Sequence, residues 1–587
     1  MTVTTDLAAL RLPFRERFLS HDEIGRQCRA WADAFPELVR LTSIGRTTEG
    51  RDVWLLTIGR DPDRPRPTAW VDGNMHANEL AGSSVALGIA EDVLALHVAA
   101  DVEGHAHGLP EHVRAVLRDV LFMVAPRLAP DGAEVVMQSA RYVRSSPRDR
   151  RTARLAPYWK TGDVDGDGLA LSMRLGDPAG DHVATGPDGR VMRPRRLEDD
   201  GPFYRVLPEG VIEHWDGQTI PDPFYLSDNE VDLNRNFPRD WKPEPDQAGA
   251  GPFAASEPEA RAVVEHANRH PEIFAWLNLH CFGGVVIRPP GDKPDSKMPL
   301  DDLALYRQLE EWSETLTGYP SVSGFEEFTY EPEKPLNGDI VAYAHEMRGC
   351  FAWTVELWDL FKQLELPKPK RFVDFYDRWS AADLERLVAW DRDHNQGRVF
   401  RGWAPFAHPQ LGPLEVGGID PRVGLWNPPY DRLDAVCRAQ AAVFLRVAAM
   451  APRLVVSTNV TKSADPGGAN GASSAGNMSY VEVVAENHGY LATYILESAK
   501  GRPFNEPLWA ELIAGDGVTV HGPSRVELGH LEGWGRGRFN PSQSLIMPQS
   551  RGSSFRGRAG FTLAGHGTVT VRVGSSRVGF HERVVEV

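Results

Sequence analysis

What most restricts the fold of this chain is a rhythm. Short, almost unbroken apolar runs (DVWLLTIG, PTAWVDGN, VLFMVAPRL, IFAWLNLHC and CFAWTVELW) alternate with longer amphipathic stretches. An apolar run without period-two alternation reads as a strand covered on both faces, the condition of a parallel sheet between helices. The intervening ELAGSSVALGIAEDVLALHV, EPEARAVVEHANRH and LALYRQLEEWSETL have helical spacing. In SHDEIGRQCRAWADAFPELVRLTSIG, Ser20 is followed three residues later by Glu23, a capping-box pattern that predicts a helix and then a strand. The alternation implies an α/β fold with a mixed, mostly parallel central sheet flanked by helices. Active sites of such sheets gather at the carboxyl ends of the strands.

At 587 residues the chain exceeds one hydrophobic core, so two or three domains are expected. Residues 145–230, rich in Asp, Gly, Pro and Arg, interrupt the rhythm and read as a long insertion that narrows whatever cleft it borders. Helical patterning returns at 375–392 and 430–451. After about residue 453, DPGGANGASSAGN reads as a flexible turn or linker, and short alternating strands with Gly-rich turns read as a small β-sandwich. The expected division is 1–452, carrying the insertion and an extension at about 360–452, and 453–587 as the β-sandwich. A net charge of −17 disfavours a nucleic-acid partner. No basic segment followed by an apolar core opens the chain, and no run reaches the roughly 20 apolar residues of a membrane helix. Cys28, Cys281, Cys350 and Cys437 form no CxxC pair. A cytoplasmic protein with free thiols and no membrane partner is expected.

The polar residues that stand out lie at or just past the ends of the apolar runs. His76 and Glu79, in GNMHANELAG, offer two metal ligands three residues apart; by themselves they read more readily as two polar residues entering a helix. His280 closes IFAWLNLHC, either as a third ligand or as a strand-end histidine bonded to a carbonyl. Three protein ligands and an open position are the usual donor set of hydrolytic zinc. Glu356 stands amid Val, Leu and Trp in CFAWTVELW. A carboxylate there is costly unless it is ion-paired or serves as a general base.

GRTTEGRDVWLLTIG, GNMHANELAG, APRLAPDGAE, ARYVRSS, VDLNRNFP, PFAASEPEARAV, WLNLHCFGG and FAWTVELWD follow one another in this order. The ordered set resembles the zinc carboxypeptidases of the M14, or funnelin, type over residues 18–360. HExxH and GxSxG are missing, in agreement. The resemblance implies one zinc ion held by His76, Glu79 and His280, with Glu356 as general base towards a zinc-activated water and Arg144 polarising the scissile carbonyl. It implies that Asn234 and Arg235 grip the carboxylate of a peptide substrate, a task suited to a planar guanidinium. A mobile tyrosine is expected before the Glu356 strand; Tyr330 fits best and Tyr343 second. Asp339 or Ile340 is expected at the base of the specificity pocket. Arg127, before the PDG turn, reads as structural.

Several features depart from the family pattern. In GDVDGDGLALSMRLGD, Asp163, Asp165 and Asp167 alternate as in the first half of a calcium loop, but Arg174 stands where the bidentate glutamate belongs. A calcium site and a Gly/Asp-rich turn both remain open. Ala129 replaces the usual Asn, and Asn78 sits where digestive members carry Arg and regulatory members carry Asn. The regulatory members also have a small β-domain after the catalytic unit. The function implied is a zinc metallocarboxypeptidase. The alternatives are a zinc amidase acting on cell-wall or modified peptides, and a non-catalytic peptide-binding protein on the same scaffold.

Overall fold

Six of the eight strands of one mixed sheet come from the five apolar runs and the strand predicted after the Ser20 helix, as a computed structural model of the protein shows. Its order is Val39–Arg46, Asp52–Ile58, Leu121–Ala125, Thr68–Gly73, Ile273–Cys281, Phe351–Leu357, Val285–Arg288 and Ser321–Ser323. The structure describes residues 7–99, 102–148, 155–186, 189–223, 231–331, 334–462, 478–538 and 549–587. The central strands Leu121–Ala125, Thr68–Gly73, Ile273–Cys281 and Phe351–Leu357 run parallel. Every residue of Thr68–Gly73 and Ile273–Cys281 is buried, which is why these runs lack alternation.

Each face of the sheet has its own core. On one, Val71, Leu277, Phe122 and Trp353 pack with the helices Ala81–Val98, Leu300–Thr317 and Tyr430–Ala448. On the other, Trp70 and Trp276 stack 4.7 Å apart among Phe237, Val263 and Tyr343, under the helix Pro258–Arg269. The helix His21–Ala34 begins as expected: Ser20 Oγ accepts the Glu23 N–H, and Glu23 accepts the Ser20 N–H. The helix Tyr430–Ala448 makes the end of the extension integral to the core, with Phe444 against Phe122 and Trp353.

The insertion and the extension meet. Phe400–His408 and Gly412–Ile419 form a hairpin to which Ser172–Gly176, Phe203–Pro208, His182–Thr185 and Val191–Pro194 are added, giving one six-stranded antiparallel sheet. The stretch HPQLGPLEVGG forms the turn and second strand of this hairpin. From Leu454 onward, two four-stranded antiparallel sheets face each other across Val481, Val483, Leu512, Phe561, Val571 and Val573. The stretch DPGGANGASSAGN lies outside the described residues; the strands flanking it, Leu454–Lys462 and Met478–Asn487, pair as a hairpin. This sandwich is docked by Arg577, buried, which donates to the carbonyls of Pro271 and Ile273 at 2.8 Å each. Asp302 accepts the N–H groups of Glu497 and Ser498 at 2.7 and 3.0 Å.

Candidate metal centre and cleft

Three neighbouring parallel strands end at one edge of the sheet, and each delivers a functional side chain there. Thr68–Gly73 leads into the turn bearing His76 and Glu79, Ile273–Cys281 carries His280, and Phe351–Leu357 carries Glu356 in register beside His280. The turn is tight. Asn74 has φ of 54°, a left-handed conformation that Asn tolerates, and its amide donates to the carbonyls of His76 and Ala77 at 2.8 and 3.3 Å. A Cβ on Gly73 would lie 2.5 Å from the carbonyl oxygen of Gly82, so glycine lets the following helix approach the strand end.

The buried His76, Glu79 and His280 converge on one point. His76 Nδ1 lies 2.8 Å from Glu79 Oε1, His280 Nδ1 lies 2.9 Å from Glu79 Oε2, and the two Nδ1 atoms are 3.0 Å apart. The far nitrogens fix the tautomers. His76 Nε2–H donates to Asp232 Oδ1 at 3.1 Å. Asn278 donates its amide N–H to Asp72 at 2.6 Å, so its oxygen faces His280 and accepts the Nε2–H. Both Nδ1 lone pairs therefore point at each other and at a carboxylate, a donor set that a divalent cation satisfies. Two imidazoles and a carboxylate suit zinc.

The surroundings maintain these charges. Burial would raise Glu79, but its interactions with His76 and His280 outweigh it and hold the carboxyl below its usual range. Asp232 is likewise pushed up by burial but held well below the carboxylate range by Arg144, His76 and Arg235; it accepts Arg144 Nε at 3.0 Å and the Asn234 N–H at 2.7 Å. Burial, reinforced by the Glu79 charge, pushes the Glu356 carboxyl well above the usual range, with Arg144 opposing. Burial pushes Asp72 up to about 6, against the N–H donors of Trp70, Asn278 and Trp276.

A cleft of about 750 Å³ opens over this cluster. Arg144, Asn234, Arg235, Tyr330, Asp339 and Glu356 all line it. Arg235 forms no close salt bridge among the described residues, and its Nη1 donates to the Asn234 carbonyl at 2.6 Å. Asn234 Oδ1 accepts the Ile340 N–H at 2.9 Å. Tyr330 is 52% exposed at the mouth, whereas Tyr343 is buried in the core and bonds to Asn268. Asp339 lines the cleft and caps Ala342, while Ile340 is buried away from it. Arg127 is buried and bonds to Ser83 and the Leu19 carbonyl, a structural role.

Two expectations change. Among the described residues none from 145–230 lines the cleft; the extension does, through Tyr376, Trp379, Leu384, Leu387, Ile419, Leu425 and Trp426. The calcium reading finds no support. Asp163, Asp165 and Asp167 accept the N–H groups of Gly166, Gly168, Asp167 and Leu169, the bonding of a Gly/Asp-rich turn. Asp163 and Asp165 do lie near Glu209, but Glu209 already accepts two backbone N–H groups. Sequence reasoning missed Asp232, Asp72 and Asn278. Asp232 sits inside VDLNRNFP, and Asn278 two residues before His280 on the same strand face, so position alone could have flagged both.

The zinc carboxypeptidase family model, Peptidase_M14, matches residues 24–169 and 210–376. The chain belongs to the M14 zinc carboxypeptidase family. A second model, a domain of unknown function (DUF8731), matches residues 471–586. Among curated relatives of this M14 chain, "Inactive metallocarboxypeptidase ECM14" of Ajellomyces dermatitidis is 30% identical over 122 residues, covering 20% of this chain and 19% of the relative. Human carboxypeptidase D is 25% identical over 360 residues, 58% of this chain and 21% of the relative. Mouse carboxypeptidase A4 is 20% identical over 368 residues, 62% and 67% respectively. The chain thus spans about a fifth of the length of the first curated relatives it matches. A solved structure of bovine thrombin-activatable fibrinolysis inhibitor in complex with tick carboxypeptidase inhibitor covers 74% of this chain and 97% of that one, at 13% identity and a TM-score of 0.41.

Proposed function

We propose that this M14 chain is a zinc-dependent metallocarboxypeptidase that hydrolyses the C-terminal peptide bond of peptides. The observation that carries the reading is the convergence of two oriented imidazole lone pairs and a buried carboxylate beside Glu356, a carboxyl with strong proton affinity. Zinc held by His76, Glu79 and His280 would supply Lewis acidity towards water and the scissile carbonyl. Glu356 takes the proton of the attacking water and passes it to the leaving amine. Arg144, anchored by Asp232, stabilises the negative charge that develops on the carbonyl oxygen. Asn234 and Arg235 bind the substrate's terminal carboxylate, and this makes the enzyme an exopeptidase. Tyr330 is the candidate mobile tyrosine at the mouth. Some curated relatives are named inactive; this chain brings His76, Glu79, His280 and Glu356 together at one site, which supports hydrolysis. The test is a matched pair of peptides, one with a free C-terminus and one amidated. Release of the last residue from the free peptide alone is the expected result, and equal cleavage of both would refute the exopeptidase reading in favour of an amidase.

A further inference from the structure

The segment between the end of the family match at residue 376 and the helix Tyr430–Ala448 supplies one wall of the cleft. Trp379, Leu384, Leu387, Leu425 and Trp426 come from it and stand beside Phe282. Leu387 is buried, whereas the other five are half-buried, so apolar surface stays open to the cleft. Trp379 turns its polar edge away, since its Nε1–H donates to the Phe375 carbonyl at 2.7 Å. Asp377, the charged side chain that this segment adds to the lining, is exposed.

The wall has a definite place relative to the metal cluster. Phe282 follows His280 and Cys281 along the chain, and its ring lies 5.5 Å from Tyr376 and 5.9 Å from Trp426. Trp426 also lies 5.9 Å from Tyr142, two residues before Arg144. Its neighbour Asn427 donates to the Asn78 carbonyl at 2.7 Å and accepts the Ala81 N–H at 2.9 Å, clasping the turn that carries Glu79. Asn234 and Arg235 are placed on another side, against Gly338–Ile340. A peptide held by its carboxylate at Asn234 and Arg235, with its scissile carbonyl between Arg144 and Glu356, leaves the cluster past His280 and meets Phe282 and the tryptophans.

Resting on the carboxypeptidase reading, we infer that residues 377–426 build a subsite for a large apolar or aromatic side chain on the acyl, N-terminal side of the scissile bond. The penultimate residue of the substrate is therefore selected by a part of the chain that the family model does not cover. Burying a phenylalanine there in place of glycine favours the larger side chain by about tenfold to a hundredfold.

The experiment uses the full-length zinc-loaded protein and N-blocked dipeptides that share a C-terminal residue and carry Phe or Gly before it. Both kcat/KM and, with the Glu356→Gln variant, calorimetric binding are measured. The expected result is a Phe preference in both readouts. Trp379→Ala and Leu384→Ala lower it by about tenfold, and Trp379→Phe restores most of it. Equal values for the two peptides in the unsubstituted wall, or a preference that survives both alanine substitutions, would overturn the subsite. Binding that discriminates without turnover of either peptide supports the subsite and sinks the hydrolytic reading alone.

Discussion

Replacing Asp232 with Asn tests whether the metal cluster and Arg144 share one anchor. Asp232 Oδ1 accepts both His76 Nε2–H and the Asn234 N–H, and Oδ2 accepts Arg144 Nε–H. An amide has one oxygen for these three donors. Placing it at the Oδ1 position preserves two bonds but sets an NH2 group against Arg144. The reverse placement sets it against two donors and is worse. Asp232→Asn therefore loses one buried charge-assisted hydrogen bond and weakens the bond to His76, about 1.5–3 kcal/mol for the charged one. That corresponds to roughly a 10- to 100-fold fall in kcat/KM. Zinc affinity falls by about tenfold through the looser His76. Steady-state kinetics on a blocked dipeptide and chelator competition for zinc measure the two effects, with the thermal midpoint as a check on folding. Kinetics and zinc affinity both within twofold of the parent would refute the shared anchor.

Asn427→Ala removes the clasp on the Asn78–Ala81 turn; zinc affinity is expected to fall by about tenfold while the far-ultraviolet spectrum is unchanged. Arg577→Ala leaves the carbonyls of Pro271 and Ile273 without their donor and should destabilise the docking of the C-terminal sandwich by about 2–3 kcal/mol, seen as separated calorimetric transitions. Burial would raise Asp92, but hydrogen bonds from His105 and His107 and the charge of Arg15 more than offset it and hold the carboxyl at about 2. Since the folded value lies below the unfolded value of about 3.9, the stability it contributes is present above pH 4 and is lost as the pH falls towards 2. The gap in thermal midpoint between Asp92→Asn and the parent should accordingly close over that range.

The central sheet was legible because strands buried on both faces must be apolar throughout, and the helix at Ser20 because its cap is local. His280 and Glu356 were conspicuous because a polar group in an apolar run is costly to bury, whereas His76 and Glu79 became legible only through the ordered family motifs. The orienting residues were harder to read. Asp72 and Asn278 act across neighbouring strands, and only pairing reveals that they meet. The cleft wall was least legible of all. Its residues are scattered over positions 376–426, and Trp379 and Trp426 carry no motif. Likewise, the alternating aspartates at 163–167 suit a turn and an ion equally well in sequence, and only their bonding to backbone N–H groups favours the turn.

Zinc content and peptide turnover, measured side by side for the parent and Glu356→Gln, test the central claim most directly. The account predicts one zinc per chain in both proteins, release of the C-terminal residue by the parent, and loss of at least about a thousandfold in kcat for the variant. Full activity in Glu356→Gln, or turnover by a parent protein stripped of zinc, would contradict it.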